Sequence, residues 1–311
     1  MAIYLGIDAG GTSTRCAIGD EQRVLGKAAG PSSKIARVGA AMARDALQSV
    51  IREACSAARV NSHDISHTCI GIAGASRPDV VQTVQGWAGE ILRGKIEVVG
   101  DMLVALEAAF SGGEGLIIIA GTGSIAFGRN QGGQTARAGG GGPEHSDEGS
   151  GEWIGRAAVH EVLRSGRNAH DSPLLRALMS AWNVASRDEL EARAGSNPAP
   201  DYSRLFPTVQ AAAESDQNAR GILEAAGGEL AMLAASTIRQ LWPAPQRVRV
   251  AIAGGVLQSS AIVRGTLVTK LRFNLQPAGY EIAISFGVAE PVMGALSLAR
   301  RAATALRKGT A

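Results

Sequence analysis

Ile7-Asp-Ala-Gly-Gly-Thr-Ser-Thr14 and Ile119-Ala-Gly-Thr-Gly-Ser-Ile125 are two versions of one local design. Each follows an apolar run, turns on glycines and hydroxyl side chains, and leads into a second apolar run. Each therefore predicts a strand, a tight turn and a returning strand. Glycines let backbone N–H groups approach a polyphosphate, and Thr12, Ser13 and Thr122 add hydroxyl donors. Either stretch alone is equally a plain hairpin. Two in one chain are more telling, because a pair can grip a β- and a γ-phosphate. No Gly-x-x-x-x-Gly-Lys-[Ser/Thr] loop is present. A dinucleotide-binding loop would lie between a strand and a helix, not between strands.

Working outward from the first hairpin, residues 3–8, 14–19 and 23–28 read as strands and 39–59 as a helix. Residues 67–74 read as a buried strand, 79–92 as a helix, 95–100 as a strand and 102–110 as a helix. This β-β-β-α-β-α-β-α order marks a layered α/β domain. Ser111-Gly-Gly-Glu-Gly115 breaks the chain, and the expected domains are residues 1–112 and 113–311. The second half opens as the first does, with strands at 116–120, 124–129 and near 134–138. Helices are expected at 152–166, 172–185, 186–195, 204–215 and 217–241. Strand 247–253 leads into Gly254-Gly-Val256 and a helix from 259 to about 271, and 281–286 reads as a last strand. A terminal helix begins at Pro291, runs over 291–305 and is expected to pack back on the first domain. The tail, 300–311, is basic and small and is expected to fray. Similar halves at this distance indicate a duplicated domain rather than a solenoid.

Composition narrows the class. A chain of 311 residues with 45% apolar and 19% charged residues can bury two cores and does not read as disordered. A net charge of +3, spread along the chain, argues against a nucleic-acid platform. No apolar run reaches membrane-spanning length, and no basic leader precedes the first strand. Cys16, Cys55 and Cys69 match no zinc or disulfide spacing, which points to the cytoplasm. The 40 glycines cluster in short motifs, as expected where backbone approaches a ligand.

Four further stretches carry candidate chemistry. Asp8 ends a strand beside Gly10 and Gly11, where a carboxylate can hold Mg²⁺ through water. Asp101 lies between a buried strand and a helix. There it can take a proton from a substrate hydroxyl attacking a γ-phosphate, or simply cap the helix. Gly254 and Gly255 end an apolar strand and suit a flat adenine or ribose, or an ordinary strand–helix turn. The densest polar stretch runs from Gly139 to Trp153 and includes Gly140, Gly141, Gly142, Asp147 and Glu148. A Gly-rich loop with carboxylates at a helix start suits a polyol and the helix dipole.

Taken in order, these elements resemble the sugar kinase/Hsp70/actin superfamily, and more narrowly the N-acetylglucosamine kinase-like branch of the BadF/BadG/BcrA/BcrD ATPase family. The residues behind this are Gly6-Ile-Asp-Ala-Gly-Gly-Thr12, Ala120-Gly-Thr-Gly-Ser124, Asp147-Glu-Gly-Ser150 with Trp153-Ile-Gly155, Ala253-Gly-Gly-Val256 and Pro291-Val-Met-Gly-Ala295. The resemblance implies a two-domain actin/hexokinase-like (ribonuclease H-like) ATPase fold with a duplicated core. It implies ATP and Mg²⁺, and transfer of the γ-phosphate to the 6-hydroxyl of N-acetylglucosamine or a related amino sugar. Glucosamine and N-acetylmuramic acid are the alternative acceptors. The implied partner is a small-molecule sugar, with no nucleic acid or membrane; a homodimer is compatible.

Mapped onto this chain, the resemblance places Gly10, Gly11, Thr12, Ser13, Gly121, Thr122 and Gly123 at the phosphates. It places Gly254, Gly255 and Ser259 near adenosine, with Ala212 on the opposite wall. Asp101 would be the base, Asp8 the metal carboxylate, and Asp147, Ser33 and the backbone of Gly140–Gly142 would hold the sugar. Relatives usually carry Asn where Ser33 or Lys34 stands here, and Trp where Gly141 stands. Glu144, His145 and Ser146 stand where relatives are mostly apolar or Gly, and with Lys34 these side chains either face solvent or make a wider, more polar sugar pocket. Two rivals remain: a [4Fe–4S] activator ATPase, whose bridging cysteines Cys16, Cys55 and Cys69 are not placed to provide, and a non-enzymatic sugar- or nucleotide-binding regulator.

Overall fold

The structure is a computed structural model that describes residues 2–142, 147–164, 172–287 and 290–309, the side chains of 305–309 left aside. The chain forms two compact units, Met1–Gly113 with Val288–Ala311, and Glu114–Gly287.

In the first unit, β1 (Ile3–Ala9), β2 (Ser13–Gly19) and β3 (Val24–Pro31) form an antiparallel meander. After α1 (Ile35–Val38) and α2 (Ala40–Ala58), β4 (Ile65–Ile72) pairs parallel to β1. Helix α3 (Pro78–Gly89) leads to β5 (Lys95–Gly100), parallel to β4, and α4 (Asp101–Phe110) follows at once. The strand order is β3-β2-β1-β4-β5. Strand alternation divides the core between two faces. Leu5, Ile7 and Ile18 pack with Leu47, Ile51 and Val84 from α2 and α3. Tyr4, Ala17 and Cys69 pack with Val104 and with Val292, Ala295 and Leu296 of the C-terminal helix.

That C-terminal helix corrects the reading of residues 300–311 as frayed. It spans Pro291–Gly309, and the stretch from Arg300 to Ala303 is anchored. Arg300 Nε donates to the Asp20 carbonyl at 2.7 Å, Ala303 is buried, and Arg301 forms an ion pair with Glu107. A run of small and basic residues reads as a tail only while the carboxylate and carbonyls that receive its arginines are out of sight.

The second unit repeats the plan. Strands β6 (Gly115–Ala120), β7 (Ser124–Arg129) and β8 (Thr135–Gly139) form the meander. There follow α5 (Gly151–Arg164), α6 (Pro173–Trp182), α7 (Arg187–Ala194), α8 (Phe206–Ala212) and α9 (Gln217–Leu241). Strand β9 (Arg247–Ala253) pairs parallel to β6, and β10 (Glu281–Ser285) pairs parallel to β9. The order β8-β7-β6-β9-β10 is the first sheet's order again. Between β9 and β10 lie α10 (Gly255–Ser259) and α11 (Ala261–Leu275), and the C-terminal helix is α12.

The helix expected from 259 to about 271 is α11, which starts at Ala261 and runs on to Leu275, and the short α10 before it was not expected. Ser260 is extended and its hydroxyl accepts from Val263 N, starting α11 afresh. The helix expected over 204–215 is shorter, because Tyr202–Leu205 forms a 3₁₀ turn before α8. Contrary to the expectation that no apolar run reaches spanning length, helix α9 is long and apolar enough to cross a membrane, although more than half of that stretch is buried. Its Leu223, Leu230 and Ile238 belong to the core of the second unit.

Candidate active site

The first unit holds a hairpin, two carboxylates and a clamp. The Gly10 N–H donates to the Ser13 carbonyl at 3.0 Å, closing a tight turn that leaves Thr12 exposed. The loop after β3 fastens this turn from outside. Ser32 Oγ donates to the Gly10 carbonyl at 3.0 Å, and Arg37 Nη1 to the Gly11 carbonyl at 2.8 Å. Ser33 is only 1% exposed, and its Oγ lies 2.8 Å from Thr14 Oγ1. Its hydroxyl therefore serves the clamp, and Lys34, half-buried and next in the chain, is the more accessible residue of this loop.

Asp8 lies two residues before the turn, paired across the hairpin with Arg15. Burial first, and then the charge of Asp101, push the Asp8 carboxyl up to about 6, with Arg15 opposing. The Asp101 carboxyl is also held above its ordinary value by burial, opposed by the Met102 N–H and by Lys34. Its Oδ1 accepts from Met102 N at 3.0 Å. Gly100 is the N-cap of α4, and Asp101 is the first helical residue. Asp101 is thus not the N-cap residue, although its carboxylate satisfies a first-turn N–H. Burial thus raises both carboxyls, and the charge of Asp101 adds to the shift of Asp8. Among the described residues no cluster of three or more His, Cys, Asp or Glu could hold a metal by itself. Mg²⁺ bound to a nucleotide needs only one or two carboxylates from the protein, and Asp8 fits that need.

The second unit, taken by itself, holds a hairpin of the same design. The Gly121 N–H donates to the Gly123 carbonyl at 2.9 Å. The start of α5 is laid onto this turn: Gly151 N donates to the Gly121 carbonyl at 2.8 Å and Glu152 N to the Thr122 carbonyl at 3.2 Å. Asp147 is fastened to the same turn. Its Oδ1 accepts from Ser124 N at 3.3 Å, and a Cβ on Gly123 would stand 3.0 Å from its carboxylate oxygens. Gly140 and Gly142 have φ of +73° and +93°, a backbone that side chains disfavour, so this loop is built around glycine. The expected pocket residues Glu144, His145 and Ser146 lie outside the described residues.

Gly254 has φ of +93°, and a Cβ there would lie 2.3 Å from the Ala120 carbonyl oxygen. Only glycine lets β9 end against β6 at this point. Gly255 is exposed and opens α10, where Ser259 Oγ donates to the Gly255 carbonyl at 2.6 Å. Gln210 Nε2 donates to the Ser259 carbonyl at 3.2 Å, which ties α8, ending at the buried Ala212, to α10.

Reading the sequence missed Arg15, the clamp of Ser32 and Arg37, and Gln210. Arg15 had a signal, since it mirrors Asp8 across the turn. The others are contacts between segments far apart in sequence and had none.

The chain matches the BadF/BadG/BcrA/BcrD ATPase family over residues 5–299. It is 30% identical over 266 residues to an N-acetylmuramic acid/N-acetylglucosamine kinase of Clostridium acetobutylicum, covering 83% of this chain and 87% of that one. It is 27% identical to an N-acetyl-D-glucosamine kinase of Dictyostelium discoideum, covering 96% and 97%. The solved structure of a candidate N-acetylglucosamine kinase from Chromobacterium violaceum superposes with a TM-score of 0.74 at 27% identity, covering 96% of this chain and 99% of that one. The architecture is the α/β actin/hexokinase-like fold.

Proposed function

The chain belongs to the BadF/BadG/BcrA/BcrD ATPase family, and from that premise we propose that it is an ATP-dependent kinase of an amino sugar. N-Acetylglucosamine is the first acceptor to test, with transfer to its 6-hydroxyl, and glucosamine and N-acetylmuramic acid follow. The observation that carries the reading is the pair Asp8 and Asp101 beside a clamped glycine hairpin.

Asp101 takes the proton of the acceptor hydroxyl as that oxygen attacks the γ-phosphorus and the β–γ bridging oxygen leaves with ADP. A carboxylate with a raised pKa is a better proton acceptor near neutral pH than an ordinary one. Mg²⁺ bound with the nucleotide would supply charge neutralisation on the β- and γ-oxygens, and Asp8 is the carboxylate to hold it. The N–H groups of Gly10 and Gly121 close their own turns, so these glycines serve close approach. Donation to phosphate falls to Gly11, Thr12 and Ser13 in one hairpin and to Thr122 and Gly123 in the other. Gly254, Gly255, Ser259 and Ala212 are assigned to adenosine. Asp147 and the backbone of Gly140–Gly142 are assigned to the sugar hydroxyls. Cys16, Cys55 and Cys69 are free and buried, which suits a reducing cytoplasm.

The reading is tested by incubating the protein with Mg-ATP and a panel of hexoses, hexosamines, N-acetylhexosamines and muramic acids, with products identified by mass spectrometry. A 6-phosphorylated amino sugar is expected. No phosphorylated sugar from any member of the panel would overturn the reading.

A further inference from the structure

Helix α10 of the second unit has only five residues, Gly255–Ser259, too few to hold its shape by its own hydrogen bonds. It is fastened at both ends instead. At its start, Gly254 is pressed against the Ala120 carbonyl. At its end, carbonyls that a helix leaves over are taken by side chains. Arg264 Nη1, from α11, donates to the Leu257 carbonyl at 2.9 Å and to the Gln258 carbonyl at 3.2 Å. Gln210 Nε2 donates to the Ser259 carbonyl at 3.2 Å. Gln210 stands on α8, two residues before Ala212, so its amide spans from one wall assigned to adenosine to the other.

Room is left beside α10. Gly121 follows β6 and Gly255 follows β9, and these strands end side by side, with Ile119 opposite Ala253. A Cβ on either glycine would meet nothing within 4 Å, and neither glycine has a positive φ. Packing among the described residues does not call for glycine at these two positions, whereas close approach of a ligand does. The Gln210 amide, for its part, is used unevenly. Ser259 is exposed, so its carbonyl can turn to water without Gln210. The Gln210 Oε1 is buried and has no donor among the described residues. A buried acceptor left unpaired destabilises the fold. A side chain kept for stability alone would be apolar at this place, and groups that lower stability persist where function needs them.

We propose that Gln210 is a positioning residue for the nucleotide: its amide N–H holds α10 at the distance from α8 that adenosine requires, at the expense of stability in the free protein. The inference rests on the assignment of adenosine to Gly254, Gly255, Ser259 and Ala212. Gln210 acts through α10 and need not touch the nucleotide. Its removal frees the end of α10, so the nucleotide has to order that wall as it binds, and affinity falls.

The test is calorimetric titration of Mg-ADP into the full chain, for the wild type, Gln210→Met and Gln210→Glu, with the Tm of each. Methionine keeps the length of the side chain and carries no N–H and no amide oxygen. Gln210→Met should bind ADP about 10-fold more weakly and melt no lower than the wild type, because the unpaired oxygen is gone. Gln210→Glu keeps an oxygen, loses the N–H and should bind ADP at least as weakly. Affinity of Gln210→Met for inorganic pyrophosphate, read by competition with ADP, should equal that of the wild type. A wild type that binds no ADP, or wild-type ADP affinity in either variant, overturns the proposal. So does a Gln210→Met protein that binds more weakly but also melts lower, since Gln210 is then a strut of the fold. Equal loss of pyrophosphate and ADP overturns it as well. ADP binding needs no acceptor, so a chain that binds ADP and phosphorylates no sugar fails the kinase reading and leaves this inference standing.

Discussion

The backbone N–H of Ser124 donates to the carboxylate of Asp147 at 3.3 Å, and the Ser124 hydroxyl donates to the next carbonyl, that of Glu148, at 2.7 Å. The segment assigned to the sugar is thus fastened to the hairpin assigned to phosphate. A shift in one is felt by the other, so substitutions at Asp147 should separate a strut from a ligand contact.

Asp147→Ala should raise the KM for the sugar by about 10- to 100-fold, the loss of a charge-assisted hydrogen bond worth about 1.5–3 kcal/mol. Asp147→Asn keeps an oxygen for Ser124 N and should hold the KM for ATP near the wild-type value while still weakening the sugar. The check is steady-state kinetics with each substrate varied in turn. If only the KM for ATP rises in Asp147→Ala, the residue is a strut and does not bind sugar.

The Asp8 carboxyl titrates near 6, against 3.8 for an ordinary aspartate, because burial and Asp101 disfavour its charge. For a group whose folded pKa is raised, the stabilising contribution is complete below the unfolded value and is lost as pH rises through the folded one. The window for Asp8 therefore runs from about 4 to about 6. Asp8→Asn, which cannot ionise, should escape this loss and be the more stable protein at neutral pH, by up to about 3 kcal/mol. The measurement is the difference in Tm between wild type and variant across this window. Parallel curves would show that Asp8 is not perturbed in the folded chain. The same variant should lose phosphoryl transfer, because it lacks the carboxylate assigned to Mg²⁺.

Gly294→Ala should be strongly destabilising, although alanine is normally the better helix former by about 1 kcal/mol. A Cβ at 294 would stand 1.9 Å from the Val104 carbonyl oxygen and 2.6 Å from the Ala108 nitrogen. It would force α12 away from α4, whose first residue is Asp101. Thermal unfolding and kcat should fall together. A variant with unchanged Tm would mean that the α4–α12 contact is looser than described.

Several of these relationships were open to the sequence and several were not. Both hairpins were legible because a glycine/hydroxyl turn between two apolar runs has few other readings. The repeated element order was legible because helix and strand periods differ. The glycine at 294 stood in a recognisable motif, but its reason, the backbone of α4 pressed against α12, is a contact across 190 residues and leaves no local trace. The role of Ser33 was equally hidden: its hydroxyl meets Thr14, on the neighbouring strand. Asp101 was ambiguous between base and cap for a local reason, since Asp suits a helix start either way. The backbone puts the N-cap at Gly100 and Asp101 in the first turn of α4, and activity of Asp101→Asn is what separates the two.

The central claim is that Asp101 accepts the proton of a sugar hydroxyl during transfer from ATP, and the most direct measurement is sugar-stimulated ADP release by wild type and Asp101→Asn side by side. Asparagine keeps the size of the side chain and an oxygen for Met102 N, so the variant should fold and bind both substrates. The wild type should release ADP only when an amino sugar is present, stop with EDTA and recover with Mg²⁺. The variant should be slower by about 10²- to 10⁴-fold in kcat. Turnover near the wild-type rate in Asp101→Asn, with the fold intact, would contradict the account.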